Sequence, residues 1–358
     1  MTIEYIQSDI KAWVNSTKET LALLRGQAFI GLPSCFPELD ELIQGFIRGA
    51  TTVVAGAPGM GKTAFTTNVV VRNVYFQNLH PKQRILMVSA EMGEHLWIQR
   101  VISLLTGIPQ GMLVLGEYSE WWNGEEMEAI PEDVDVDGLI AQALECIATF
   151  PVELMGGGAT DTFSIEQKLT ELVFSEGLDI PLVIIDHAGV LSDVGEYDGA
   201  VARPDFICQR LESLAQKFNT HILTIWPLTK EGLRSGKIPS YGALRGSVMP
   251  SYQAANIIIV HSPMLAELQQ ASRSVVGRKV PVYLSVQKNR FMGRFEVVRV
   301  FFIPSVGRFV LHNDDEWMKR YRDYQCEFMR PKEQDDKEYA NNHLEDIKCR
   351  RTSLTSKV

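Results

Sequence analysis

Residues Gly56-Ala57-Pro58-Gly59-Met60-Gly61-Lys62-Thr63 follow the pattern G-x-x-x-x-G-K-T. Glycines at such spacing let a backbone close around phosphates with its N–H groups turned inward. A lysine then supplies a point charge near the β and γ phosphates, and the threonine offers a hydroxyl to Mg²⁺. The flanks suit the motif. Ala50-Thr51-Thr52-Val53-Val54-Ala55 is a β-branched apolar run that reads as a buried strand, and Ala64 begins a stretch that can open a helix. A helix N-terminus there adds its positive dipole end. Contacts to ATP, or another nucleoside triphosphate, are therefore expected from Gly56 through Ala64. Two carboxylates complete the chemistry. Asp186 ends the apolar run Leu182-Val183-Ile184-Ile185 and is expected to share Mg²⁺ with Thr63. Glu91 follows the run Ile85-Leu86-Met87-Val88-Ser89, where it either polarises an attacking water as general base or caps a helix over Met92–Leu105. His187 reads as a core or interface histidine or as a catalytic one.

These residues need a frame that brings strand ends together. From Gly31 to about Asn313 strands alternate with helices, which predicts an α/β fold whose mostly parallel central sheet carries helices on both faces. Strands are expected at Thr51–Ala55, Ile85–Ser89, Val183–Asp186, His221–Ile225, Asn256–His261, Val282–Val286 and Val297–Phe302. In such sheets the C-terminal strand ends converge on a ligand crevice. Glu117–Asp137, acidic with Trp121 and Trp122, reads as a surface excursion. Residues 3–25 carry an apolar helical stripe that packs on its own domain or on a neighbouring subunit. From Asp314 charges of both signs crowd together, which predicts a partly disordered tail. The expected organisation is a linker or oligomerisation helix over 1–30, a motor domain over 31–313 and a charged tail over 314–358.

The chain has 358 residues, 45% of them hydrophobic, enough for a sizeable core. Its net charge of −9 excludes a globally basic nucleic-acid coat but leaves room for a local basic channel. Five scattered cysteines without a C-x-x-C pair argue against a disulfide framework and a zinc site. With no basic-then-apolar leader and no membrane-length apolar run, a cytoplasmic protein without membrane association is expected.

Several runs taken in order carry a resemblance. Gly31-Leu32-Pro33, Leu39-Asp40-Glu41-Leu42 and Gly45 precede the Gly-rich loop, and Val88-Ser89-Ala90-Glu91-Met92 follows it. Then come Ile185-Asp186-His187, Leu244-Arg245-Gly246-Ser247 and Lys288-Asn289-Arg290-Phe291-Met292-Gly293. Over roughly residues 31–312 the chain resembles the replicative DNA helicases, the RecA-type motors of the bacterial DnaB and phage primase-helicase kind, and it leans towards the phage branch. The resemblance implies a RecA-type ATPase that forms a ring, expected to be a hexamer, translocates on single-stranded DNA and unwinds forked duplex. It further implies a primase, polymerase or loader as partner. A virus-encoded chain acting in the host cytoplasm fits the branch.

By position the resemblance makes Glu91 the catalytic glutamate and Asp186 the metal-linked aspartate. Lys288 and Arg290 become a basic pair reaching the γ-phosphate held by a neighbouring subunit; without it they read as solvated strand-end charges. Lys230, Arg234 and Lys237, in a basic Gly-containing loop, become grips on the single-strand backbone, with Arg203 a further candidate; the loop otherwise reads as solvated surface. One position departs. Where the family places a polar γ-phosphate sensor after the strand beginning His221, this chain has Pro227, which has no donor at all. That departure keeps two other readings open: a RecA-type single-strand-binding ATPase in recombination or repair without unwinding, and a regulatory RecA-type ATPase with no DNA role.

Overall fold

Apolar strands build the centre of the molecule. In the computed structural model the described residues are 29–123, 125–157, 160–193, 202–228, 239–244, 252–264 and 277–311. The helix expected within 3–25, the tail from Asp314, the basic loop with Lys230, Arg234 and Lys237, and Arg245-Gly246-Ser247 all lie outside them.

The main sheet is formed by β1 (Thr51–Gly56), β2 (Gln83–Ser89), β5 (Val152–Gly156), β6 (Asp179–Asp186), β7 (His221–Pro227), β8 (Asn256–His261), β9 (Val280–Asn289), β10 (Val297–Ile303) and β11 (Arg308–Val310). Strands β3 (Glu120–Trp122) and β4 (Met127–Ala129) form a separate hairpin. The main sheet runs in the order β11-β10-β9-β8-β1-β7-β6-β2-β5. From β8 to β5 neighbouring strands are parallel, whereas β9, β10 and β11 join antiparallel.

The period-2 geometry of strands divides the core between the two faces. Val54, Ile184 and Ile258 point to one side, where they meet Phe65, Trp97 and Phe309. Val53, Ile185 and Ile259 point to the other, against Ile165, Leu211 and Leu214. The first face is covered by α1 (Pro37–Ile43), α2 (Lys62–Tyr75) and α3 (Glu94–Thr106); α4 (Gln110–Leu115) and α5 (Val136–Ala148) flank α3. The second carries α6 (Thr162–Thr170) and α7 (Ala202–Lys217). Burial on both faces explains why β1, β6 and β7 read as continuous apolar runs. In β10, by contrast, Val298 and Val300 are buried while Val297 and Arg299 are exposed, the alternation of a strand with one wet face.

The acidic excursion is corrected by the structure. Its carboxylates do face solvent, but Trp121 and Trp122 are buried. The Trp122 backbone N–H donates to the Gly107 carbonyl at 2.8 Å, fixing the β3–β4 hairpin against the end of α3. Gly107 has φ +79, and a Cβ there would lie 2.4 Å from the Trp122 carbonyl oxygen, so this seat needs glycine.

Candidate functional site

The strand order turns about β1. The chain leaves β1 through α2 to reach β2 on one side, while β7 is followed by β8 on the other. Such a switch point opens a crevice at the C-terminal ends of the parallel strands. The Gly-rich loop fills it. Gly56 sits so close to β8 that an added Cβ would lie 2.4 Å from the Val260 carbonyl oxygen. Gly61, at φ +87, turns the chain into α2, whose first residue is Lys62. Met60 is buried and anchors the loop to the core, while Pro58 and Gly59 face out. Lys62 Nζ donates to the carbonyls of Gly56 and Ala57, both at 2.9 Å, so its ammonium lies inside the curve of its own loop.

The neighbouring strand ends bring in both carboxylates. Asp186 is 1% exposed and accepts a hydrogen bond from Thr63 Oγ1 at 3.1 Å. A hydroxyl and a carboxylate this close are hard oxygen donors of the kind Mg²⁺ takes alongside substrate phosphates, so these residues fit the ion. Ser89 pairs with Asp186 across β2 and β6, and its hydroxyl donates to the Met92 carbonyl at 2.6 Å. That bond ties down the turn carrying Glu91. Glu91 is exposed and lies outside α3, whose N-cap is Gly93. The capping alternative is thus removed for Glu91.

Electrostatics tie the group together. Burial pulls the Lys62 ammonium below its ordinary range, and the charges of Asp186 and Glu91 oppose the pull. Burial raises Asp186, against the nearby Arg100 charge and the Thr63 hydrogen bond. Arg100, on α3, is likewise lowered by burial, against the opposing charges of Asp186 and Glu91. Among the described residues neither Lys62 nor Arg100 forms an ion pair. Two desolvated cations in one crevice form a place for a polyanion.

A cavity of about 260 Å³ opens from the loop. It is lined by Gly59, Gly61, Lys62, Thr63, Ala64 and Thr67, by Arg100, Ser103 and Gln110, and by Phe302, Pro304, Val306 and Gly307 of β10 and the β10–β11 turn. Sequence reasoning missed the last two sets. Arg100 did carry a signal, a lone cation inside the apolar run Trp97-Ile98-Gln99-Arg100-Val101-Ile102 soon after Glu91.

The remaining expected residues lie elsewhere. Pro227 ends β7 and pairs with Gly56, so the position expected to hold a sensor does border the loop. His187 adopts φ +71 just after Asp186, and its buried Nδ1 has no hydrogen-bond partner among the described residues. Lys288 and Arg290 are not in the crevice. Lys288 is level with Ile257 and Val53, towards the opposite end of the sheet. Lys288 Nζ and Arg290 Nη2 both donate to the Tyr252 carbonyl, at 2.8 and 2.7 Å. Arg203 lies in the first turn of α7 and donates to the Leu191 carbonyl.

Residues 31–311 match the family described as the DnaB-like helicase C-terminal domain. A replicative DNA helicase DnaB of Nostoc is 24% identical over 236 residues, covering 65% of this chain and 24% of that protein. A replicative DNA helicase DnaB of Geobacillus stearothermophilus is 21% identical over 308 residues, covering 84% of this chain and 62% of that protein. The chain thus spans between about a quarter and three fifths of the length of these curated relatives. Among solved structures, an isolated ATPase domain superposes with a TM-score of 0.67 at 21% identity, covering 84% of this chain and 97% of that one. A DnaB-like replicative helicase described with its interactions with primase gives 0.64 at 22% identity, covering 84% of this chain and 66% of that one. The fold is that of these RecA-type domains, a mixed and mostly parallel sheet with helices on both faces.

Proposed function

This chain belongs to the DnaB-like helicase C-terminal domain family, and on that premise we propose that it is the ATP-hydrolysing motor of a ring-forming replicative DNA helicase that moves on single-stranded DNA and unwinds duplex. The observation that carries the reading is the convergence of Lys62, Thr63, Asp186 and Glu91 in the crevice, with Thr63 and Asp186 3.1 Å apart. We read residues 31–313 as the motor, acting in the cytoplasm; among the described residues no helix is long and apolar enough to cross a membrane.

In this reading the loop N–H groups from Gly56 to Ala64 cradle the phosphates, and Lys62 leaves its carbonyl partners to meet the β and γ oxygens. Thr63 and Asp186 would hold Mg²⁺, which when bound neutralises phosphate charge. Glu91, exposed on its tethered turn, accepts the proton of the attacking water. Lys288 and Arg290 serve the nucleotide of an adjacent copy in a hexameric ring, so that hydrolysis depends on assembly. Lys230, Arg234 and Lys237 would grip the single strand, with Arg203 a further candidate contact, and a primase, polymerase or loader would complete the machine.

A forked duplex with a labelled strand tests the proposal. The chain should displace the strand with ATP and Mg²⁺, and Lys62→Ala should abolish both displacement and hydrolysis while leaving the melting temperature close to that of the parent. The absence of a polar group at Pro227 favours one rival, a DNA-binding ATPase that does not unwind. DNA-stimulated hydrolysis with no strand displacement on any fork would establish that rival instead.

A further inference from the structure

We propose that Arg100 binds the terminal phosphate of the nucleotide held by its own subunit, taking the place of the polar group that Pro227 cannot provide. The inference rests on the nucleotide-binding reading given above and adds a residue to it.

Arg100 lines the same cavity as Lys62 and Thr63. Its field reaches both Asp186 and Glu91, the carboxylates expected on the metal and water side of the γ-phosphate. No ion pair within the described residues occupies it. Its Nε is buried without a hydrogen-bond partner, and its Nη2 donates to Met92 Sδ at 3.4 Å. A thioether is a weak acceptor. A half-buried guanidinium, with a buried N–H unpaired and only a sulfur as acceptor among the described residues, is poised to exchange that sulfur for a phosphate oxygen, where the bond is charge-assisted and the fork geometry fits.

The exchange also carries information. Met92 belongs to the turn that bears Glu91, and Ser89 holds that turn by the Met92 carbonyl. While Arg100 rests on Met92, the helix is linked to the general base. When a terminal phosphate draws Arg100 away, the link is released. Nothing at Pro227 can do this, because a proline at the end of β7 has neither a side-chain donor nor a backbone N–H.

The test compares the affinities of the intact chain for Mg²⁺-ADP and for a non-hydrolysable Mg²⁺-ATP analogue. The parent should bind both and Lys62→Ala should weaken both. Arg100→Gln should weaken the analogue roughly tenfold to a hundredfold, the range of a lost charge-assisted hydrogen bond, with ADP affinity changed less than about twofold. Arg100→Lys should fall between Gln and parent, keeping charge but losing the fork. It carries the comparison if the Gln variant melts early. An equal loss for both nucleotides, or no loss for either, overturns the assignment and leaves the nucleotide site standing. A parent that binds neither nucleotide overturns both readings. A parent that discriminates as expected but displaces no strand overturns the helicase reading alone.

Discussion

Lys288 and Arg290 share one acceptor, the Tyr252 carbonyl, which holds the two cations side by side. Burial first, and then the Arg290 charge, lower the Lys288 ammonium to about 8. Below that pH Lys288 is a cation; above it the amine is neutral and donates without charge. If the pair serves a neighbour's phosphate, hydrolysis by the assembled ring should fall as pH rises through about 8, or somewhat higher if phosphate contact steadies the charge. Lys288→Arg, cationic throughout, should remove that alkaline limb, and steady-state rates at saturating ATP between about pH 7 and 9.5 check it. An unchanged limb in the variant would assign it to another group. At this scale the sequence was most legible where chemistry is local. Gly56 to Thr63 declare themselves because consecutive residues must form one loop. Asp186 and Glu91 were legible as carboxylates at the ends of apolar runs. Arg100 left only the faint sign of a lone cation in an apolar run, because its place in the cavity depends on how α3 lies over the loop, which no spacing along the chain reports.

Strands were legible where length and burial together gave a recognisable apolar pattern. β1, β6, β7 and β8 are buried almost throughout, and their apolar runs announced them. β5, an edge strand that is nowhere fully buried, reads Val-Glu-Leu-Met-Gly and went unseen, as did the three-residue β11. The antiparallel flank was hidden for another reason: apolar runs report burial, not direction. The central strands are also locked by a polar seam that titrates. His221 is fully buried, with Nδ1 2.7 Å from the Ile47 carbonyl and Nε2 2.9 Å from Thr52 Oγ1, which also accepts from Asn256 Nδ2 at 3.2 Å. A carbonyl only accepts, so neutral His221 carries its proton on Nδ1, and Nε2 accepts from Thr52. Burial lowers His221 to about 4 from an ordinary 6.5. Between those values the unfolded chain binds the proton and the fold does not, so stability rises with pH, by about 1.4 kcal/mol per pH unit in the steep part. Asp40, raised to about 7 by burial, acts with the opposite sign because there the fold binds the proton. The difference between parent and His221→Gln isolates the histidine. Denaturant melts from about pH 4.5 to 7.5 should show a gap that widens with pH and is flat above about 6.5. A gap independent of pH would mean that His221 is not kept neutral by the fold.

The Gly-rich loop and the basic pair lie towards opposite ends of the sheet. Gly56 lies at the C-terminal end of β1, while Lys288 is level with Val53, three residues back and two strands across. At about 3.3 Å per residue and 4.8 Å per strand, the basic pair starts roughly 14 Å from the loop, with the intervening sheet in between. A subunit cannot bring Arg290 to its own phosphates without dismantling β9, whose end is fixed by the Arg290 N–H to the Ala255 carbonyl at 2.8 Å. Beside the pair, Phe291, Met292, Phe295 and Val297 are exposed, an apolar lip at the β9–β10 turn of the kind that interfaces cover. The arrangement suits a ring in which each crevice meets the opposite end of the next sheet. Mixing tests it. Arg290→Ala should bind ATP but hydrolyse it poorly, and Glu91→Gln should do the same for a different reason. In a mixed ring, wherever an Arg290→Ala subunit offers its crevice to a Glu91→Gln neighbour, an intact Glu91 faces an intact Arg290. Those boundaries should hydrolyse ATP, so mixtures should exceed either variant alone, with the gain greatest near equal proportions. Rates that merely interpolate between the two parents would place both residues in the service of a single subunit. Loss of ATP binding by Arg290→Ala alone would point the same way.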